Sequence, residues 1–218
     1  MFDYSEFKCE FLSPSQIRKK AELFRQEYWP EDILPIDMEK IIGQRLKLDI
    51  IPLHGINKLT KTDAYLQSDL AAIIVDFDQY MDDANRYANR LRFSFSHEIG
   101  HYILHKHVYS KFQVDNFEDY CFFIDNFPED EYGDFEWQAN EFAGSLLVPR
   151  EKLILEVQKI YEIIRQQNLD EYLEKYPSDI LARVSKTLCK PFGVSYQVIE
   201  RRVEIEKLWP PASKPNNS

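Results

Sequence analysis

The residues best able to do chemistry in this chain are His97-Glu98-Ile99-Gly100-His101, an H-E-x-x-H stretch near its middle. On a helix, histidines four residues apart share one face and lie about one turn from each other. Two imidazoles so placed can share one small divalent ion. The glutamate between them is rotated roughly 100° away and can reach a water held by that ion. Two neutral ligands, an adjacent base and an open coordination position make half of a zinc hydrolase site.

Two imidazoles leave zinc short of a third protein ligand. No histidine follows His107, so that ligand must be a carboxylate or, less readily, a cysteine. A helical pattern over 135–148 offers Glu136, with Asn140 one turn on to orient a ligand from behind. Ala139, Ala143 and Gly144 are small enough to let this helix press against the H-E-x-x-H helix. Glu141 competes, but it lies roughly 140° round the helix from Glu136 and lacks the support of Asn140. Hydrolysis also needs a donor for the developing oxyanion. His105, one turn past His101, or a tyrosine such as Tyr102 could supply it; for His105 a place in the core or in support of a ligand is the favoured reading. His54 and His107 are expected to play no part.

Several elements must position these residues. Ser13-Pro14-Ser15-Gln16 reads as a capped helix start, with Ile17, Ala21, Phe24 and Tyr28 following at helical spacing. A short helix is expected from Asp37 to Leu46. Strand-like segments lie at 46–53, 63–67 and 71–77, the last two forming a hairpin about Ser68-Asp69. Ala71 to Val75 is apolar and reads as a covered, central strand. A helix beginning at Asp82 or Asp83 carries the motif to about His105. Gly100 costs that helix roughly 1 kcal/mol relative to alanine, a cost that close approach of another backbone would offset.

The segment 106–135 differs from its surroundings. From 115 to 136 it carries nine acidic residues and no Lys or Arg, interleaved with aromatics. That pattern predicts a partly ordered insertion, either a lid beside the site or a connector packed by its own rings. A long amphipathic helix to about Asn168 follows, then two helical patterns around Phe192-Gly193-Val194-Ser195, and a tail from 210 to 218 expected to be disordered. The division is therefore 1–150 as the domain bearing the site, 151–209 as a helical subdomain, and the tail.

The net charge of −10 argues against general binding to nucleic acid or an anionic membrane and leaves basic proteins as partners. Cys9, Cys121 and Cys189 are scattered and form no C-x-x-C pair, as expected of free thiols in the cytoplasm. The N-terminal residues show no secretory pattern, and the longest aliphatic run, Leu70 to Val75, is far short of a membrane span.

Taken in order, four blocks resemble the ImmA/IrrE family of bacterial and phage metallopeptidases: Leu34 to Ile41; Ala71 to Val75; Arg92 through the motif to His105; and Glu136-Trp137-Gln138-Ala139-Asn140-Glu141-Phe142-Ala143 with Leu146-Leu147-Val148-Pro149. The resemblance covers roughly residues 30–150. It implies an α+β, zincin-like core, mostly helical with a small three-stranded, mainly antiparallel sheet. It implies that His97, His101 and Glu136 bind one zinc ion (manganese being the alternative), that Glu98 is the general base, and that the substrate is a helix-turn-helix repressor. The acidic insertion is longer than such a core calls for, and the fused N-terminal DNA-binding domain of some relatives is not expected here. One rival reading is a metal-binding sensor or interaction module without turnover. Another is DNA binding through 178–208, but six basic against four acidic residues there leave a net of only +2, too little for groove binding.

Overall fold

The structure, a computed structural model, describes residue 4 and residues 7–109 and 111–210. The expected disordered tail lies, from residue 211 on, outside the described residues.

Helix α1 (Pro14–Tyr28) starts with a capping box. The Ser13 hydroxyl accepts from Gln16 N, and the Gln16 side chain accepts from Ser13 N at 2.8 Å. Helix α2 (Met38–Lys40), capped by Asp37, continues into π-helical turns at Ile41–Leu46, which end at a left-handed Lys47. Strand β1 (Asp49–Leu53) is followed by α3 (Ile56–Thr60), β2 (Ala64–Leu66), β3 (Ala72–Asp76) and a single helical turn, α4 (Phe77–Tyr80).

The three strands form one small mixed sheet in the order β1-β3-β2. Its antiparallel character belongs to the β2–β3 hairpin; β1 joins β3 in parallel, Asp49 opposite Ala72 and Leu53 opposite Asp76. The parallel pairing follows from connectivity, because the chain passes through α3 and β2 before β3 is laid between the two earlier strands. All five residues of β3 are buried, as an apolar central strand requires.

Helix α5 (Ala88–Leu104) carries the motif. It begins later than the acidic residues at 82–83 suggest. Asp82 is spent on a tight turn, accepting from Arg86 N at 2.7 Å and from its guanidinium at 2.6 Å, while Asn85 adopts a left-handed φ of 57° that no helix interior accommodates.

The acidic segment is largely helical: α6 (Lys106–Tyr109), α7 (Phe117–Asn126, capped by Asn116) and the first turns of α8 (Glu129–Leu147). Helix α8 therefore starts six residues before the apolar pattern does. Glu129, Asp130 and Glu131 fill its first turn, where carboxylates suit the helix dipole. The aromatics turn inward. Phe112, Phe123, Phe127 and Phe135 are buried with Tyr4 and Phe7 in one cluster of rings.

Beyond Pro149 come α9 (Arg150–Gln166), α10 (Asp170–Lys175), α11 (Pro177–Phe192) and α12 (Tyr196–Ile205). One apolar core runs from Tyr4 to Val203 across residue 150, and a smaller cluster of Ile164, Leu173 and Ile180 lies among the later helices. The α11–α12 turn is held against α5, Arg92 donating to Gly193 O at 2.6 Å. Arg202 of α12 points inward, to Glu141 at 3.1 Å and Glu206 at 2.6 Å, so its charge is spent inside the protein.

Helices α5 and α8 form the most extensive helix pair. A Cβ on Gly100 would lie 3.0 Å from both Cα and O of Ala139. Backbone cannot yield as a flexible side chain can, so Gly100→Ala is expected to destabilise the protein by about 1–3 kcal/mol through overpacking. This exceeds the gain of roughly 1 kcal/mol in helix propensity. Urea unfolding measures the difference; equal or greater stability in the variant would show that the two helices can part freely.

Candidate metal centre

His97 and His101 stand one turn apart on α5 with their Nε2 atoms 3.0 Å from each other. Across the helix crossing, α8 brings in Glu136: its Oε2 lies 3.1 Å from His97 Nε2 and its Oε1 3.3 Å from His101 Nε2. Among the described residues these three form a group whose ligand atoms all lie within 4.8 Å of one another. Asn140, one turn along α8, meets His97 Nδ1 with Oδ1 at 3.2 Å. Glu141 does not approach. It is buried on another side of α8 with Arg18 and Arg202.

The donor set fits a divalent cation. Two ring nitrogens this close cannot both carry protons toward each other, and a carboxylate faces both. Burial pulls the His97 imidazole down, but the Glu136 carboxylate outweighs it and holds His97 up at about 9. Burial also tends to raise Glu136, yet the two imidazoles hold its carboxyl well below the usual range. Both shifts favour one positive charge within the cluster. A cation bound by two imidazoles and a carboxylate would supply the same, in the ligand chemistry typical of zinc.

Glu98 is buried beside the cluster. Burial, with Glu136 adding to it, lifts its carboxyl to about 8 against the lowering pull of His97. Its Oε2 accepts from Leu66 N at 2.9 Å, tying it to the edge of the sheet.

A cavity of about 190 Å³ opens over these groups. Three tyrosines of the acidic segment line it: Tyr109, Tyr120 and Tyr132. Burial, reinforced by the Glu98 and Glu136 carboxylates, raises all three phenols, so they remain protonated; Tyr120 donates to Thr62 Oγ1 at 3.3 Å. Sequence reasoning missed them. Their only signal was aromatic residues persisting within an acidic stretch. Tyr102, the tyrosine considered from sequence, lies outside the cavity under the Lys106 ammonium. His105 also lies outside it, buried behind His101 with Nδ1 on His101 Nδ1 at 2.9 Å, so an oxyanion-donor role does not fit its position. His54 and His107 contact the exposed Asp78 and Glu10.

A motif-bearing helix crossed by a glutamate-bearing one beside a small mixed sheet defines the zincin-like class of metallopeptidases. Within that class the match is specific: residues 83–204, more than half of the chain, fit the family model for peptidase M78, described as the IrrE N-terminal-like domain, and the chain belongs to that family. No curated protein matches it. Membership implies a metallopeptidase-type role, a divalent metal ion and a protein substrate. No helix among the described residues is long and apolar enough to cross a membrane.

Proposed function

We propose that this protein is a zinc-dependent endopeptidase of the cytoplasm that cuts a helix-turn-helix transcriptional repressor and so relieves repression. The observation that carries the reading is the convergence of His97, His101 and Glu136 beside the buried carboxyl of Glu98, at the floor of a cleft. His97 and His101 would hold zinc through Nε2, and Glu136 through its carboxylate. The ion would supply Lewis-acid polarisation of a carbonyl and a water acidic enough to ionise near neutral pH.

The remaining work falls to the chain itself. Glu98, the general base, accepts a proton from the attacking water and returns it to the leaving amine; its raised carboxyl makes it a stronger base once ionised, and the positive charge of the bound ion would favour that ionised form. Leu66 N fixes one Glu98 oxygen and leaves the other to face the cleft. The protonated phenols of Tyr109 and Tyr132 offer hydrogen bonds to negative charge developing on the substrate, whereas Tyr120 already donates to Thr62 Oγ1.

The free side of β2 is covered, all three of its residues being buried, so an extended peptide would pair with it only once that cover moved aside. Asp63 O and Gln67 N are bonded to β3, whereas Leu66 N turns toward Glu98. Ala64 shares the parity of Leu66, so its N–H and C=O face the same side. Past Leu66 the edge is also bonded, because Ser68 N donates to Val114 O at 3.1 Å. The acidic rim complements a basic DNA-binding protein and would speed encounter with it. The three cysteines are free thiols, in keeping with a reducing compartment.

Incubating the zinc-loaded protein with a purified repressor of this class tests the proposal. Cleavage at one site is expected, lost with a chelator and restored by zinc. Repressors left intact by zinc-loaded protein would overturn the substrate assignment.

A further inference from the structure

Behind His101 runs a line of hydrogen bonds whose direction is set at its far end. Gln138 of α8 is buried, and its amide nitrogen lies 2.8 Å from the carbonyl oxygen of Glu10 and 3.4 Å from the Cys9 sulfur. A carbonyl only accepts, so the amide nitrogen belongs on that side and Gln138 Oε1 faces the other way. Oε1 meets His105 Nε2 at 3.2 Å, and only an N–H can satisfy it there. Among the described residues no carboxylate touches either nitrogen of the buried His105 ring, and a neutral imidazole carries one N–H. His105 Nδ1 is therefore a lone pair, and it faces His101 Nδ1 at 2.9 Å. His101 must donate from Nδ1, which leaves its Nε2 as a lone pair on the side of His97 and Glu136.

We propose that Gln138 and His105 are positioning residues that fix the tautomer of His101, and that the N-terminal segment sets their direction through the Glu10 carbonyl. This inference rests on the metal-site reading and adds to it. The ligand nitrogen of His101 is presented as a lone pair before any ion arrives, instead of being selected from two tautomers. The segment that supplies the carbonyl is itself clamped to α8: Cys9 N donates to Glu131 Oε2 at 2.7 Å, and Lys8 Nζ reaches Glu131 Oε1 at 2.8 Å. Phe7 packs edge-on to Phe135 at 6.0 Å, and Phe135 stacks on His105 at 4.1 Å. The N-terminal strap therefore touches the relay both by a hydrogen bond and through one ring.

Long-range proton–nitrogen NMR of the imidazoles in the wild-type chain reads the relay directly. The expected signature is neutral His105 protonated at Nε2; His105 protonated at Nδ1 would overturn the proposal. Zinc titration against a chelating dye tests the consequence. His105→Phe keeps the ring on Phe135 but removes both nitrogens, and Gln138→Met removes the amide. Each is expected to weaken zinc binding by about 10- to 100-fold, the usual cost of losing a group that orients a ligand. His105→Gln, which can accept from His101 and donate to Gln138, is expected to recover most of the affinity. Variants that bind zinc as tightly as wild type would overturn the relay. A wild-type chain that binds no zinc would instead sink the metal-site reading, and the NMR signature would still decide the relay.

Discussion

A Glu98→Gln protein is expected to bind zinc as wild type does and to cleave its substrate about 100- to 10,000-fold more slowly, the range by which a positioned general acid–base accelerates proton transfer. The substitution is nearly isosteric, and the amide oxygen can still accept from Leu66 N, the bond that fixes one Glu98 oxygen now. The fold at the β2 edge should therefore survive. What is lost is the capacity to take a proton and give it back. Glu98 lies outside the group of three close ligand atoms, so zinc affinity should not move. Two measurements on the same preparation make the check: zinc stoichiometry by metal analysis and repressor cleavage followed on gels. Cleavage at the wild-type rate would remove Glu98 from the mechanism. Loss of zinc along with activity would instead place Glu98 among the groups that hold the metal.

The parts of this site legible from sequence are those set by helix periodicity. His97 and His101 had to share a face once their stretch was helical, and the choice of Glu136 over Glu141 followed from which one Asn140 could accompany. Gly100 opposite Ala139 is the same kind of inference, small residues marking where two helices meet. Contacts between distant stretches were not legible. Gln138 and the Glu10 carbonyl are 128 residues apart, and nothing in either neighbourhood announces the other. The late start of α5 depends on a turn in which Asp82 caps Arg86, which competes locally with helix formation. The acidic segment read as a partly ordered insertion because Pro128 and Gly133 punctuate it. Its order comes from rings buried against Tyr4 and Phe7, a tertiary effect that overrides local preference.

Glu136 and Glu141, five residues apart on α8, should fail in opposite ways when each is changed to glutamine. Glu136 is the partner of two imidazoles at 3.1 and 3.3 Å, and the amide of Glu136→Gln would ligate zinc poorly. Zinc binding and activity should be lost together, while the metal-free chain should lose less stability in urea than Glu141→Gln does, because His97, no longer held protonated by the carboxylate, can give up its proton instead of remaining a stranded charge. Glu141 sits with Arg202, both side chains 3% exposed, and with Arg18 at 3.0 Å. Removing its charge leaves a buried guanidinium short of a partner, with Glu206 alone on the other arm. Breaking a buried pair from one side costs about 3–5 kcal/mol. Glu141→Gln should therefore lower stability by roughly that amount, at the low end because Glu206 remains, while the folded fraction binds zinc normally. The two outcomes separate ligand from scaffold on one helix. If Glu141→Gln abolished zinc binding in a chain as stable as wild type, the assignment of the third ligand would be wrong.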